Sequence, residues 1–160
     1  MKNLQELFEH ELKDLYSAEK QLVDALPKMQ AAASHKELKK GFADHLEQTK
    51  GHLEKVKGIL DELDVNPGST KCDGMAGLIK EGESVIEEKA LANVKDAALI
   101  AAAQRVEHYE IAGYGTASEY ARILGHDKHA TTLESILAEE TKSNKHLNGL
   151  ALKEINKSAM

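Results

Sequence analysis

One cysteine, two prolines and 4% aromatic residues deprive this 160-residue chain of several common devices. A lone thiol, Cys72, excludes an intrachain disulfide, and with no second cysteine or flanking histidine it makes no redox or zinc pattern. No run of 18 apolar residues occurs, so no membrane span is expected. The N-terminal Met-Lys-Asn-Leu-Gln-Glu-Leu-Phe-Glu-His is too charged for a signal peptide. Basic residues are the minority, 21 against 27 acidic for a formal charge of −6, and they form no block or stripe. Nucleic acid is therefore not an expected partner. Also missing are a Gly-rich phosphate loop, a Ser-His-Asp set and a Cys-His pair. These absences leave a protein expected to be soluble and cytoplasmic, with 1–160 as a single domain.

What is abundant is Ala, Leu, Glu and Lys, a bias toward helix over strand. Apolar residues recur with helical period over 3–32 (Leu4, Leu7, Phe8, Leu12, Leu15, Leu22, Leu26) and again over 35–64 (Leu38, Phe42, Leu46, Val56, Ile59). Pro27 is expected to kink the first helix or force a bulge near Val23. Ser34-His-Lys-Glu reads as a capping box that opens the second, and Asn66-Pro-Gly-Ser stops it. A short amphipathic helix is predicted over 75–90, with Leu78, Ile79, Val85 and Ile86 on one face that must cover either the rest of the molecule or a second subunit. Long helices follow over 93–124 and 127–156, separated by the turn Gly125-His-Asp-Lys-His. Helices of this size are each roughly 40 Å long. The predicted fold is all-α: a ferritin-like four-helix bundle of two hairpins, with a short extra helix in the long crossover. An offset of 91 residues superimposes Glu19 on Glu110, Phe42 on Leu133, Val56 on Leu147, Thr49 on Glu140 and His52 on Ser143, a pattern of two related hairpins.

Carboxylates interrupt these stripes. Glu107 and Glu110 fall among Leu99, Ile100, Ala103, Val106, Tyr114 and Ala117, and Glu19 falls between Leu15 and Leu22. Placing a carboxylate where leucine would serve costs free energy unless cations or hydrogen bonds compensate. His45, Thr49 and His52 share one face of the second helix, in register with Phe42 and Val56. Glu140 shares the stripe of Leu133, Leu137 and Leu147, unless the helix turns Glu139 inward instead. Metal sites in bundle cores take a Glu from each of two helices and Glu-x-x-His from each of the other two. Glu19 and Glu110 supply the first pair, Glu140 a third carboxylate, and His45 or His52 an imidazole, with Glu107 either a ligand or a partner of Arg105 or a histidine. Such donors suit Fe, Mn or, less selectively, Zn. The competing reading is a metal-free network in which Glu19 and Glu110 are hydrogen-bonded to Tyr16, Tyr114 or a histidine. His108 is expected beside the site or at an interface, and His126 and His129 in solvent. The glycines at 113 and 115 are read as permitting close helix approach.

Tyr-Ser-Ala-Glu-Lys-Gln-Leu (16–22), His-Leu-Glu-Gln-Thr (45–49), Asp-Ala-Ala-Leu-Ile-Ala-Ala-Ala-Gln (96–104) and Val-Glu-His-Tyr-Glu-Ile-Ala (106–112) resemble the YciE/YciF family of bacterial stress proteins along the whole chain. That resemblance implies a ferritin-like fold, a homodimer, a role in general or osmotic stress, and a metal site of no settled activity. The sequence departs from the ferritin pattern at two places. Thr49, not Glu, stands three before His52, and Ser143, not His, stands three after Glu140. Two functions follow: a metal-binding stress protein with a redox or peroxide-consuming role, or a non-enzymatic helical scaffold whose metal site has decayed. Iron storage is the weakest of the three, since nothing indicates a multi-subunit shell.

Overall fold

The structure is a computed structural model that describes all residues, 1–160. It is all-helical, with α1 over Leu4–Ala32, α2 over Lys36–Glu62, a short α3 over Asp73–Glu87, α4 over Ala92–Ile123 and α5 over Asp127–Leu150. Beyond α5 the chain widens into a π-turn, Ala151–Ile155, and ends in a single turn, α6, at Asn156–Ser158. The wider turn keeps Leu147, Ala151 and Ile155, spaced four apart, buried together on the inner side. No helix is long and apolar enough to cross a membrane. α1 packs along α2 and α4 along α5, so the long helices form the two expected hairpins, and α1 also meets α4 while α2 meets α5.

Local chemistry explains most helix ends. Asn3 caps α1 by accepting a bond from the Glu6 N–H at 2.8 Å. α4 closes with the His126 N–H on the Ala121 carbonyl and the Gly125 N–H on that of Arg122. This closure puts residue 125 in the left-handed region, at φ +78°, where glycine carries no Cβ penalty. α2 ends the same way with Asp64 at φ 56°.

Two expectations are corrected, and a third, the cover of α3, resolves to one of its two alternatives. The capping box at Ser34 does not form: His35 is the N-cap of α2 and makes no side-chain cap bond. The buried carboxylate of Asp96, from α4, instead accepts the N–H groups of Ser34 and His35 at 2.7 and 2.8 Å. A carboxylate takes both orphan donors and favours the positive helix end, so a tertiary cap replaces the local one. Pro27 causes no break or bulge: α1 stays α-helical to Ala32, because the proline is exposed and lies within two turns of the end. The apolar face of α3 is spent on its own chain, where Ile79, Val85 and Ile86 pack against the core and α3 lies on α1 and α4.

The core is divided in two. One apolar cluster holds Leu22, Leu26, Phe42, Leu99, Ile100 and Leu147, among others. The second holds Phe8, Leu12, Leu15, Val56, Leu133 and Ile136. Between them every long helix contributes ionisable or polar side chains: Glu19 from α1, His45, Thr49 and His52 from α2, Glu107 and Glu110 from α4, Glu140 from α5. All are buried.

Candidate metal centre

Helical spacing explains why these side chains converge. On α1, Glu19 occupies the inward position between buried Leu15 and Leu22, and on α4 Glu107 and Glu110 lie between buried Ala103 and Tyr114. His45, Thr49 and His52 occupy successive inward turns of α2 between buried Phe42 and Val56. Glu140 takes the inward turn of α5 between buried Ile136 and Leu147. The six residues singled out from sequence thus meet in one layer, each at most 6% exposed.

Two overlapping sets of ligand-type atoms result. His45, Glu107, Glu110 and Glu140 bring one donor atom each within 4.8 Å of the others, as do Glu19, His52 and Glu140. Glu140 belongs to both. His45 Nδ1 lies 2.8 Å from Glu107 Oε1 and its Nε2 3.5 Å from Glu140 Oε2. His52 Nδ1 lies 2.7 Å from Glu140 Oε1 and 3.6 Å from Glu19 Oε1. The Tyr114 hydroxyl donates to Glu19, as one of the sequence alternatives foresaw.

Glu139, which the sequence placed inward only if the helix turned, has a different role. It lies outside the layer and accepts from His52 Nε2 at 2.7 Å, while Lys55 Nζ holds its other oxygen at 3.3 Å. A carboxylate only accepts, so Nε2 carries a proton and Nδ1 is the nitrogen turned inward. Carboxylates behind ligating histidines orient metal-binding imidazoles in just this way. The Glu139-Glu140 doublet was the available signal, since adjacent carboxylates on one helix cannot both face the core.

Other sequence expectations resolve individually. His108 is exposed and its Nδ1 contacts the Gln104 carbonyl of its own turn, outside the layer. Arg105 bonds the Ala101 carbonyl, leaving Glu107 to His45. His129 is buried rather than solvated, lying against the His126 ring at 5.7 Å, and His126 in turn stacks on Phe8 of α1 at 5.9 Å. Gly113 permits close approach, since a Cβ there would stand 2.8 Å from Leu15 Cδ2, whereas Gly115 has ordinary room. Cys72 caps α3 through its sulfur and contacts the Tyr109 hydroxyl at 2.9 Å.

The electrostatics are those of crowded carboxylates. Burial pushes Glu19 and Glu107 up to about 7 against the pull of their histidines. Glu110 rises well above the usual carboxylate range through burial and repulsion from Glu140, Glu19 and Glu107. Burial opposes charge on His45, yet the bond to Glu107 and the surrounding carboxylates raise it to about 9. His52 is likewise raised, and burial of Glu140 is outweighed by the two imidazoles, which hold it below the usual range. Both Glu110 oxygens, Glu107 Oε2, Glu19 Oε2, His45 Nε2 and Thr49 Oγ1 are buried without a hydrogen-bond partner. Such atoms are rare in folded proteins, where a buried polar group is normally satisfied. Carboxylate oxygens and imidazole nitrogens left aimed at one another fit Fe or Mn.

The family model for a domain of unknown function, DUF892, matches residues 3–160. The chain belongs to that family. YciF of Escherichia coli strain K12 is 45% identical over 160 residues, 99% of this chain and 96% of that protein. The crystal structure of YciF, described as a stress protein, superposes with TM-score 0.94 over 98% of this chain and 99% of that one. YcfI from Rhodopseudomonas palustris, provisionally labelled a structural protein, is 40% identical with TM-score 0.88, covering 92% and 94% of the two chains. A Xanthomonas campestris protein at 21% identity shares the fold, with TM-score 0.77 over 96% and 94% of the chains. The YciE/YciF resemblance of the four motifs therefore extends along the DUF892 chain from end to end.

Proposed function

We propose that this chain is a ferritin-like four-helix bundle, a stress-response protein that holds Fe2+ or Mn2+ between Glu19, His45, His52, Glu107, Glu110 and Glu140. One observation carries the reading: the core is interrupted by four buried carboxylates and two buried imidazoles, and inward atoms among them, both Glu110 oxygens and His45 Nε2 included, lack hydrogen-bond partners. Apolar residues there would be cheaper by several kcal/mol, so the layer calls for a compensating ligand. Glu19, His52 and Glu140 form one half of the centre, His45, Glu107, Glu110 and Glu140 the other, with Glu140 shared. When bound, such an ion supplies a one-electron redox couple. The chain's own part is to neutralise, orient and dry the ion. Glu139 fixes the His52 ring, Tyr114 fixes Glu19, and the two apolar clusters keep water from either end. Similarity to the stress protein YciF supports the cellular role.

A second reading, a helical scaffold with a decayed site, is favoured by one observation. Thr49 and Ser143 replace the carboxylate and the imidazole of the two-metal pattern, and Ser143 bonds Gln48 at 3.4 Å instead of facing the layer. In that reading, protons alone hold the carboxylates together. Glu110→Gln separates the two. The metal reading expects elemental analysis of untagged protein to find stoichiometric Fe or Mn, and added Mn2+ to stabilise the wild type by about 2.7 kcal/mol at a hundredfold excess over Kd. It expects Glu110→Gln to abolish that shift while melting, without metal, at or above wild type, because burial already disfavours charge on Glu110 and an amide of the same shape replaces it. A wild-type transition that does not move with Fe2+ or Mn2+ leaves the scaffold reading standing.

A further inference from the structure

We propose that divalent cations reach the centre through the groove between α2 and α5, with Gly41 and Ser143 as its threshold; the inference rests on the metal reading. Two concavities adjoin there. The outer, of about 230 Å3, is lined by Gly41, Asp44, Gln48, Lys142, Ser143 and His146, with no apolar side chain. The inner, of about 30 Å3, shares Gly41, Ser143 and His146 with it and adds His45 and Glu107 between the apolar walls of Phe42 and Leu147. The inner space is about that of one water molecule, enough for an ion stripped of most of its shell. Its floor carries the atoms that point to a ligand: His45 Nε2 and Glu107 Oε2 have no hydrogen-bond partner, on side chains 6% and 1% exposed.

The path replaces a hydration shell stepwise. Its mouth offers the His146 imidazole, the Gln48 amide oxygen and the Asp44 carboxylate, the last held by Lys40 at 2.5 Å. The next donors inward are His45 and Glu107, of the same chemical types. Gly41 is not demanded by crowding, since a Cβ there would meet His146 at 3.8 Å, an ordinary contact. A glycine inside a helix costs about 1 kcal/mol relative to alanine; here the missing side chain leaves the threshold clear. Lys142 is the one lining charge of the wrong sign, and it makes the entry less attractive than it could be.

The test measures two rates on the full chain: Mn2+ uptake by metal-free protein, and Mn2+ loss to excess EDTA, alongside the final stoichiometry. Gly41→Leu, whose larger side chain fills the threshold, is expected to slow both by about tenfold or more at unchanged stoichiometry. His146→Ala, at an exposed position, is expected to slow uptake and keeps the proposal testable should leucine disturb packing. Lys142→Ala is expected to speed uptake at low salt and to lose that advantage at high salt. Wild-type rates in both Gly41→Leu and His146→Ala overturn the port while leaving the metal reading intact. A wild-type chain that takes up no Mn2+ removes the metal reading and the port with it.

Discussion

At the scale of single residues, the protein's unusual feature is that three of the four glutamates in its buried layer resist ionisation. Glu19 and Glu107 are raised to about 7, Glu110 further, and His45 to about 9, from ordinary values of 4.5 and 6.5. A group whose folded value exceeds its unfolded one binds its proton more tightly when folded. Its stabilising contribution is complete below the unfolded value and is lost as pH climbs through the folded one. All four act in the same direction, so metal-free protein is expected to lose stability progressively between pH 4.5 and 9. Glu140, held low, acts oppositely and adds stability that disappears only in acid. Bound metal competes with these protons, so the stabilisation by Mn2+ should grow over the same interval. Calorimetric melting with and without Mn2+ checks both slopes. A metal-free Tm that rises with pH across this range would contradict the ionisation scheme.

At the scale of elements, the start of α2 shows tertiary structure overriding a local signal. Ser34-His-Lys-Glu has the spacing of a capping box, yet Asp96 brings both oxygens to the orphan N–H groups from a helix 61 and 62 residues away. Removing it leaves two donors unpaired at a part-buried junction and takes away a charge that favours the helix end. Asp96→Ala is therefore expected to cost about 2 kcal/mol, read as a lowered urea midpoint at unchanged m-value. Ser34→Ala should be nearly silent, since the hydroxyl takes no part in the cap. The reverse ranking would restore the local cap and remove Asp96 from this role.

For the molecule as a whole, the offset of 91 residues becomes a pseudo-symmetry that exchanges the two ends of the core. Phe42 lies in one apolar cluster and its counterpart Leu133 in the other, and Val56 and Leu147 are exchanged likewise. The polar layer is where the two halves meet, so Glu19 and Glu110 face the same centre from opposite sides. We propose, from the family resemblance, that two chains associate. Ile79, Val85 and Ile86 of α3 already pack against the core of their own chain, whereas Leu91, Val94, Ile123 and Leu152 are large apolar side chains exposed in the single chain. Sedimentation at micromolar concentration is expected to give twice 17.5 kDa. A species of one chain's mass across that range would set the dimer aside.

The four long helices and the short one, most of their limits to within a few residues, the hairpin pairing and the burial of all six singled-out residues were legible in the sequence, while the π-turn that ends α5 was not. Each depends on the 3.6-residue period, which one chain displays by itself: a glutamate on an apolar stripe must point where its neighbours point. Glu139 behind His52, Asp96 over the start of α2, the buried His129 and the apolar face of α3 turned onto its own helices were not legible. In each case the decision lay with a partner distant along the chain, whose place follows from how helices rotate and slide against one another. Periodicity fixes the direction a side chain takes from its own helix axis; only packing in three dimensions decides which atom waits there.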